Sequence, residues 1–422
     1  MLPENPSSNP SPATGATNPP VPGFIEYRMR EAYAAFGIHR ADRLLNGTQP
    51  GPGAVLMRSN DYLCLARHPR VIGAEVAALR EEGHGDSLSR VFAHRREDRH
   101  RALERRIARL VGTEDAVLCM SGYCANVGLV QAFAAPGTPV YVDMKAHASL
   151  WEGIRSAGAV ARPFPHNDPG RLERQVRQHG PGLVLVDALY STTGTIAPLH
   201  AFADVAEAHG CALVVDETHS FGAHGRDGAG LVEALGLSGR VHFRTFGLSK
   251  AVAARGGVIA CPARAADFFR YEALPMIFST SVLGHEAAGF DAVLDIFAGE
   301  PWRREQLHAN HRRLRDGLLV LGYPVDASDS QIIPLEAGPE EAVVTLREAL
   351  ARHGVFGAVF CAPATPPSRA MVRLTVNCGL GEEEIQRVLA ACKAIRDEVG
   401  LARWPSRRRQ QPRHAPALMA AE

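Results

Sequence analysis

The feature that most constrains the fold is the alternation of short, continuous apolar runs with segments of helical periodicity. The runs are AVLCM from residue 116, VYVDM from 140, LVLVDAL from 183, ALVVDE from 212, VHFRTFG from 241 and GGVIAC from 256. Continuous apolar runs of this length are typical of strands covered on both faces, and helical segments such as LHAFADVAEAHG supply the cover. The pattern predicts a mostly parallel α/β sheet.

The pattern changes after about residue 290, where a long Arg/Leu-rich helix precedes the short strands QIIPLEAG and MVRLTVN and a final helix, EEEIQRVLAACKAI. We expect a smaller α+β domain there. The predicted organisation is a disordered segment 1–23, an N-terminal arm 24–58, a large domain 59–290, a small domain 291–402 and a disordered tail 403–422.

Composition excludes several classes of partner. The chain has 46 basic and 45 acidic residues in 422, so no global field favours a nucleic acid or an anionic membrane. Its 8 cysteines show no paired CxxC spacing, which argues against a disulfide framework or a zinc site. With no long apolar run and no signal peptide apparent, we expect a cytoplasmic protein.

Polar residues follow several of the predicted strands. His147 follows VYVDM, Ser191 follows LVLVDALY, and His219 follows VVDE. Because ligands bind beyond the carboxyl ends of parallel strands, we expect these side chains to line one crevice.

Lys250 is one of only three lysines among the 46 basic residues, the others being Lys145 and Lys393. A lysine can lose its proton and form a Schiff base, whereas an arginine stays protonated. The small, apolar neighbours in LSKAVAARGG favour a lowered pKa through desolvation. The alternative is a surface lysine on a loop, and Lys145, beside Asp143, is interpreted as an ion-pair partner.

A Schiff base between Lys250 and pyridoxal 5′-phosphate (PLP) would explain the acids of VVDETHS. The ring nitrogen of this cofactor needs a buried carboxylate to stay protonated, and Asp216 at a strand end fits that task. His219 would turn back toward the phenolic oxygen of the ring. The alternative for this segment is a helix cap followed by a turn.

Two further segments suit anionic groups. Ser121, Gly122 and Tyr123 join a strand to a helix in CMSGYCANVGLV, where free backbone N–H groups and the helix dipole favour a phosphate. Arg373 in MVRLTVNCG can clamp a substrate carboxylate with two parallel hydrogen bonds.

In order along the chain, from about residue 24 to 400, the segments resemble the α-oxoamine synthases, fold-type-I PLP enzymes that join an amino acid to an acyl-CoA. The matching pieces are SNDYLCLARHP, SGYCANVGL, DMKAHASLWEGIRSAGA, PFPHND, YSTTGTIAPL, VVDETHSFGAHGRDGAG, LSKAVAARGG, FSTS and VRLTV. Within this family, SLWEG, SQIIPLEAG and HGVFGAVFCAPAT are most similar to the cholera-type autoinducer synthases, which make α-aminoketone or α-hydroxyketone signals.

The resemblance implies a large domain with a mostly parallel seven-stranded sheet and a smaller C-terminal α+β domain. It makes Lys250 the Schiff-base lysine, Asp216 the partner of the ring nitrogen and His219 the contact of the phenolic oxygen. It also implies that His147 stacks on the ring and that Ser191 supports the cofactor. In the substrate site, Arg373 binds the amino-acid carboxylate, and Asn60 and Thr365 line the site. The resemblance further implies a homodimer in which Ser279, Thr280 and Ser281 reach the cofactor phosphate of the neighbouring subunit.

The chain departs from the family pattern at three places. Gly247 stands where the family usually has a threonine, with Thr245 and Ser249 as candidate replacements for a phosphate-binding hydroxyl. The glycine-rich stretch is only partly kept in GHGDSLSRVFAH, and TVNCGLG lacks the usual histidine.

The expected activity is PLP-dependent condensation of an acyl-CoA with a small L-amino acid, or S-adenosylmethionine, with decarboxylation to an α-aminoketone that is a quorum-sensing signal precursor. An 8-amino-7-oxononanoate synthase of biotin biosynthesis is the nearest alternative. A non-catalytic partner subunit and a metal hydrolase using Asp216, His219 and His224 are alternatives of other classes.

Overall fold

The computed structural model describes residues 19–36, 44–85, 88–93 and 97–405. The chain divides into two compact units, residues 1–47 and 48–422. In the first unit, helix α1 spans Gly23–Phe36 and exposes Phe24 and Tyr27. The predictions of disorder for 1–23 and 403–422 fall largely outside the described residues; Trp404, at the start of the predicted tail, is buried.

The second unit contains a seven-stranded sheet. Its strands are β2 (Asp115–Cys119), β3 (Pro139–Asp143), β4 (Val160–Phe164), β5 (Leu183–Asp187), β6 (Ala212–Asp216), β7 (Phe243–Gly247) and β8 (Gly257–Cys261). They lie in the order β2-β8-β7-β6-β5-β3-β4, and only β8 runs antiparallel to its neighbours. The prediction of a mostly parallel seven-stranded sheet is confirmed.

A second, four-stranded sheet combines distant parts of the chain. Its strands are β1 (Val55–Met57), β9 (Ile332–Gly338), β10 (Val355–Phe360) and β11 (Ala370–Thr375), in the order β1-β10-β11-β9. β1 pairs parallel with β10, and the other pairs are antiparallel. A strand from the predicted N-terminal arm therefore completes the sheet of the predicted small domain.

Helices surround both sheets. In the second unit they are α2 (Pro69–Glu82), α3 (Arg99–Val111), α4 (Gly122–Phe133), α5 (Ala148–Ser156), α6 (Pro169–His179), α7 (Leu199–Ala208), α8 (Leu231–Ala234), α9 (Ala263–Glu272), α10 (Leu274–Ile277), α11 (Gly284–Gly299), α12 (Trp302–Val320), α13 (Glu340–Arg352) and α14 (Glu382–Ala394). Among the described residues, no helix is both long and apolar enough to cross a membrane.

Polar residues of three adjacent strands of the large sheet lie at the same level, and two of them, Asp187 and Asp216, end their strands. Asp187 of β5 pairs in register with Asp216 of β6, which pairs with Thr245 of β7. The preceding residues of these strands are buried, as continuous apolar runs predict for strands covered on both faces. The carboxyl edge of the sheet therefore collects the polar groups.

The second acid of VVDETHS has a structural role. Glu217 and Arg244 form an ion pair in which both side chains are completely buried, with Arg244 Nε donating to Glu217 Oε2 at 2.5 Å. The other oxygen of Glu217 accepts from the Val232 backbone N–H and the Ser220 hydroxyl. Glu217 thus fixes the loop between β6 and α8.

We expect Arg244→Met to destabilise the protein by about 3–5 kcal/mol, because it leaves a buried carboxylate without its cation. Urea unfolding followed by circular dichroism measures the loss, and Glu217→Gln/Arg244→Met should lose less because no charge remains. The control is Arg240→Met, which breaks the surface pairs with Asp204 and Glu207 and should cost less than about 1 kcal/mol. Equal losses for Arg244→Met and Arg240→Met would contradict this assignment.

Candidate active site

Lys250 lies in the turn after β7, close to the carboxyl edge where Asp216 ends β6. Burial lowers the pKa of Lys250, the positive charge of Arg373 lowers it further, and the carboxylate of Asp216 opposes both effects. Burial also holds the pKa of His219 well below its usual value, with added contributions from Lys250, Arg373 and His147. The structure thus brings five of the sequence-predicted residues into one electrostatic neighbourhood.

The carboxylate of Asp216 is buried and held by two donors. Asn126 Nδ2 donates to Asp216 Oδ2 at 2.7 Å, and the Thr218 backbone N–H donates to Oδ1 at 2.8 Å. Thr245, in turn, donates its hydroxyl to Asn126 Oδ1 at 2.6 Å. Each oxygen keeps a second lone pair, so the carboxylate can still accept a proton-bearing ring nitrogen.

His219 is oriented by Tyr62, a residue that sequence reasoning missed. The Tyr62 hydroxyl lies 2.6 Å from His219 Nδ1, and Gln331 Nε2 donates to the His219 backbone carbonyl at 2.7 Å. Burial raises the pKa of Tyr62, so the hydroxyl keeps its proton and is available as the donor to Nδ1. In the tautomer that accepts on Nδ1, the imidazole carries its proton on Nε2, where it can donate to a bound ligand.

His147 caps the N-terminus of α5. Its Nδ1 accepts from the Ser149 backbone N–H at 3.3 Å and lies 2.7 Å from Ser149 Oγ, while its backbone N–H donates to Asp187 Oδ1. Burial and the neighbouring carboxylate of Asp216 raise the pKa of Asp187 well above its usual value. Asp187 therefore anchors the backbone of His147 by accepting its N–H at 3.1 Å.

Arg373 is buried with only neutral partners among the described residues. It donates to the Ser191 backbone carbonyl and to Asn60 Oδ1, both at 2.8 Å, and its guanidinium lies 4.4 Å from the centre of the Phe360 ring. Its Nε is buried without a hydrogen-bond partner. An uncompensated buried cation of this kind favours a carboxylate ligand. Ser191 contributes here through its backbone carbonyl.

The turn into α4 offers a tight cradle for an anion. Ser121 caps the helix by accepting from the Cys124 N–H, and a Cβ added at Gly122 would lie 2.8 Å from Gly247 Cα. Gly247 stands where the family usually has a threonine, and another threonine contacts it here. The Thr218 hydroxyl accepts from the Gly247 N–H at 2.9 Å. Only glycine allows the two loops to approach this closely.

The predicted phosphate hydroxyls lie in different surroundings. Thr245 is buried and its hydroxyl contacts Asn126, whereas Ser249 is exposed. The choice between them stays a prediction. Tyr123 is half exposed beside the cradle, and Thr365 is buried with its hydroxyl 3.5 Å from the Phe360 carbonyl oxygen.

Ser279 and Thr280 follow α10 at a separate cavity. Thr280 and Ser281 line this cavity of about 400 Å³ together with Arg90 and His100, and its lining does not include Lys250, Asp216 or His219. The expected contact of Ser279 and Thr280 with a neighbouring subunit remains a prediction.

The residues present fit PLP. They supply a partly buried amine with a lowered pKa, a carboxylate held by two donors, an imidazole N–H and a capped helix N-terminus. These are the groups that the aldehyde, ring nitrogen, phenolic oxygen and phosphate of this cofactor require. The described ranges contain no cluster of three or more His, Cys, Asp or Glu side chains that could hold a metal ion.

Comparisons with known proteins agree with this set of groups. Residues 53–392 match the family model of aminotransferase class I and II. The chain is 40% identical to a CAI-1 autoinducer synthase from Vibrio campbellii, over 89% of this chain and 95% of the relative. It is 33% identical to an 8-amino-7-oxononanoate synthase from Trichlorobacter lovleyi, over 86% and 96% of the two chains.

Solved structures show the same similarity. A serine palmitoyltransferase from S. paucimobilis with a bound PLP–myriocin aldimine superposes with a TM-score of 0.79 at 27% identity, over 89% of this chain and 98% of the other. An 8-amino-7-oxononanoate synthase from Francisella tularensis gives a TM-score of 0.73 at 20% identity, over 82% and 99% of the two chains. The second match supports the fold alone.

We expect Tyr62→Phe to weaken PLP binding by about 1–3 kcal/mol, because His219 Nδ1 would be left buried without its donor. Quenching of tryptophan fluorescence in the apoprotein measures the dissociation constant. The control is Tyr323→Phe, which removes a buried hydroxyl that donates to the Cys392 carbonyl. It should lower the unfolding midpoint and leave PLP affinity unchanged. Equal affinity losses in both variants would show that Tyr62 acts only through stability.

Proposed function

Because the chain belongs to the aminotransferase class I and II family and, within it, to the PLP-dependent α-oxoamine synthases, we propose that it makes an α-aminoketone. It condenses an acyl-CoA with a small L-amino acid, or with S-adenosylmethionine in its place, and releases CoA and carbon dioxide. The product is an autoinducer precursor. The resemblance to the Vibrio campbellii autoinducer synthase, which is greater than to the oxononanoate synthase compared above, supports this choice.

The observation that carries the proposal is a partly buried lysine of lowered pKa near a buried arginine, Arg373, that has no ion-pair partner among the described residues. When bound, PLP supplies an electron sink for the pair left by a departing α-proton or carboxyl group. Lys250 would hold the cofactor, and its amine would accept the α-proton once the amino acid has taken its place. Asp216 would keep a proton on the ring nitrogen, and His219 would donate from Nε2 to the phenolic oxygen.

Arg373 orients the amino acid. Its free Nε and two Nη groups can bind the substrate carboxylate, while Asn60 and the Ser191 carbonyl hold the guanidinium in place. A fixed carboxylate also fixes the direction of the bonds at the α-carbon relative to the ring. Burial around Arg373 excludes water and strengthens this interaction.

The second candidate is an 8-amino-7-oxononanoate synthase, favoured by the 33% identical relative from Trichlorobacter lovleyi. It would use the same residues with alanine and a pimeloyl thioester. The substrates of either reaction occur in the cytoplasm, which is the location that the proposal implies. A non-catalytic partner subunit is disfavoured because Lys250 is present and has a lowered pKa.

We expect the purified protein to convert acyl-CoA and amino acid from a mixed pool into an aminoketone with a medium or long acyl chain, detected by mass spectrometry. Lys250→Ala should reduce this activity on the order of 10³-fold or more. Lys393→Ala, an exposed lysine in the last turn of α14, is the matched control and should keep full activity. A preference for a pimeloyl thioester would favour the second candidate, and absence of a borohydride-trapped cofactor on Lys250 would exclude both.

The proposal includes a homodimer whose partner completes the phosphate site. Phe92 and Phe278 are exposed, and each is within two residues in sequence of a residue that lines the cavity, Ala93 and Thr280 respectively. Such large apolar groups are suited to burial against a second copy. In the dimer, the hydroxyls of Ser279 and Thr280 reach across to the neighbouring cofactor.

Subunit complementation tests this arrangement. We expect co-expression of a Lys250→Ala chain with a Ser279→Ala/Thr280→Ala chain to restore activity, because one site of the mixed dimer combines the intact lysine with the intact hydroxyls. Each parent alone should be impaired, and tagged purification isolates the mixed species. No recovery in a verified mixed dimer would show that these hydroxyls do not act across the interface.

A further inference from the structure

Asn126 lies inside α4 and is 1% exposed, with three hydrogen bonds from one amide. Its Nδ2 donates to Asp216 Oδ2 at 2.7 Å and to Ser149 Oγ at 2.9 Å, and its Oδ1 accepts from the Thr245 hydroxyl at 2.6 Å. Both amide hydrogens are therefore committed. The residue joins three elements that are distant in sequence.

The chemistry of the partners fixes the direction of these bonds. An ionised carboxylate only accepts, so the amide nitrogen of Asn126 faces Asp216 and the amide oxygen faces Thr245. Ser149 accepts from Asn126 and is left to donate its own hydroxyl hydrogen to His147 Nδ1, 2.7 Å away. A directed chain thus runs from Asn126 through Ser149 to His147.

Two groups of the candidate active site depend on this amide. Asp216 has its plane fixed by Asn126 on one oxygen and by the Thr218 N–H on the other. His147 receives hydrogen bonds on Nδ1, so its ring carries a proton on Nε2. One side chain behind the site therefore sets the geometry of the acid and the tautomer of the histidine.

The sequence context also indicates that Asn126 is retained for its contacts. It stands in the middle of an otherwise mostly apolar helix, GYCANVGLVQAF, where an asparagine is a poor helix former. A buried amide without partners would be costly, and only this arrangement satisfies it.

We propose that Asn126 is a positioning residue that aims the Asp216 carboxylate at the ring nitrogen of PLP and, through Ser149, sets the tautomer of His147. The inference rests on the PLP-dependent function proposed above and adds a residue that acts through Asp216 rather than touching substrate. Loss of Asn126 should therefore weaken the binding of a cofactor only when that cofactor has the ring nitrogen.

A pair of cofactors tests this requirement. The apoprotein is titrated with PLP and with its analogue that has carbon in place of the ring nitrogen, 1-deazapyridoxal 5′-phosphate, by fluorescence quenching. We expect Asn126→Ala to weaken PLP binding roughly 10-fold to 100-fold. Binding of the carbon analogue should change by less than about twofold, the usual limit of additivity for independent sites.

Matched variants separate positioning from folding. Asn310→Ala removes another fully buried asparagine, which donates to the Asn377 and Leu380 carbonyls, and should leave both affinities unchanged. Thr245→Val keeps the shape of the side chain but removes the donor to Asn126. It should weaken binding of PLP more than binding of the carbon analogue, by a smaller factor than Asn126→Ala does. Ser149→Ala breaks only the branch to His147 and should leave the ratio of the two affinities as in the wild type.

Equal weakening of both cofactors by Asn126→Ala, or no weakening of either, would overturn the inference. If Asn126→Ala does not fold, Thr245→Val decides the question by the same comparison. Because the titrations contain no acyl-CoA or amino acid, failure of the acyltransferase assay leaves this result standing. A wild-type protein that binds neither cofactor would instead remove the proposed function.

Discussion

The burial of a carboxylate at the end of a strand is the constraint on which the rest of the site depends. Asp216 leaves a sheet covered on both faces, where an ion without compensation would lose several kcal/mol of hydration. The chain supplies hydrogen-bond donors from α4 and from the following turn, and the described residues supply no arginine or lysine as a direct ion-pair partner. Both carboxylate oxygens thus have hydrogen-bond donors and keep the capacity to bind a cationic ring.

The alternation of side chains along a strand explains why two adjacent acids have different roles. Successive residues of extended chain point to opposite sides of a sheet, and Glu217, the first residue after β6, continues the pairing with β7 because its backbone N–H donates to the Thr245 carbonyl. Glu217 meets Arg244 and is neutralised inside the protein. The same separation applies to cations, because Arg244 is paired while Arg373 contacts neutral oxygens. Of these four charged groups, Glu217 and Arg244 neutralise each other, whereas Asp216 and Arg373 remain available to ligands.

Much of the large sheet follows from the sequence, because the central strands β5 and β6 are apolar at every position before their final aspartate. β4 was not among the predicted runs, and four of its five residues are at least partly exposed, so it lacks a continuous apolar signal. β1 has three residues and pairs with β10 about 300 positions later, a contact that no local pattern encodes. The two strands were missed for different reasons, because β1 depends on a distant partner whereas β4 pairs with the nearby β3 but lacks a buried apolar run.

The candidate site shows the same division. Lys250, Asp216 and His219 stand in local contexts that indicate their chemistry, namely a rare lysine and a strand that ends in acids. Tyr62 and Asn126 gain their importance from partners 157 and 90 positions away, His219 and Asp216 respectively. Motif resemblance placed both residues in matching segments without assigning them a role.

The charge of the histidines completes the electrostatic argument. Lys250 and Arg373 already place positive charge in a buried space, and both depress the pKa of His219. A neutral His219 adds no further repulsion and still donates from Nε2, because Tyr62 occupies Nδ1. Protonation of His219 would end the hydrogen bond from Tyr62 to Nδ1, since Nδ1 would become a donor facing the Tyr62 hydroxyl. The low pKa of His219 therefore preserves the direction of the hydrogen bonds on which the orientation of its ring depends.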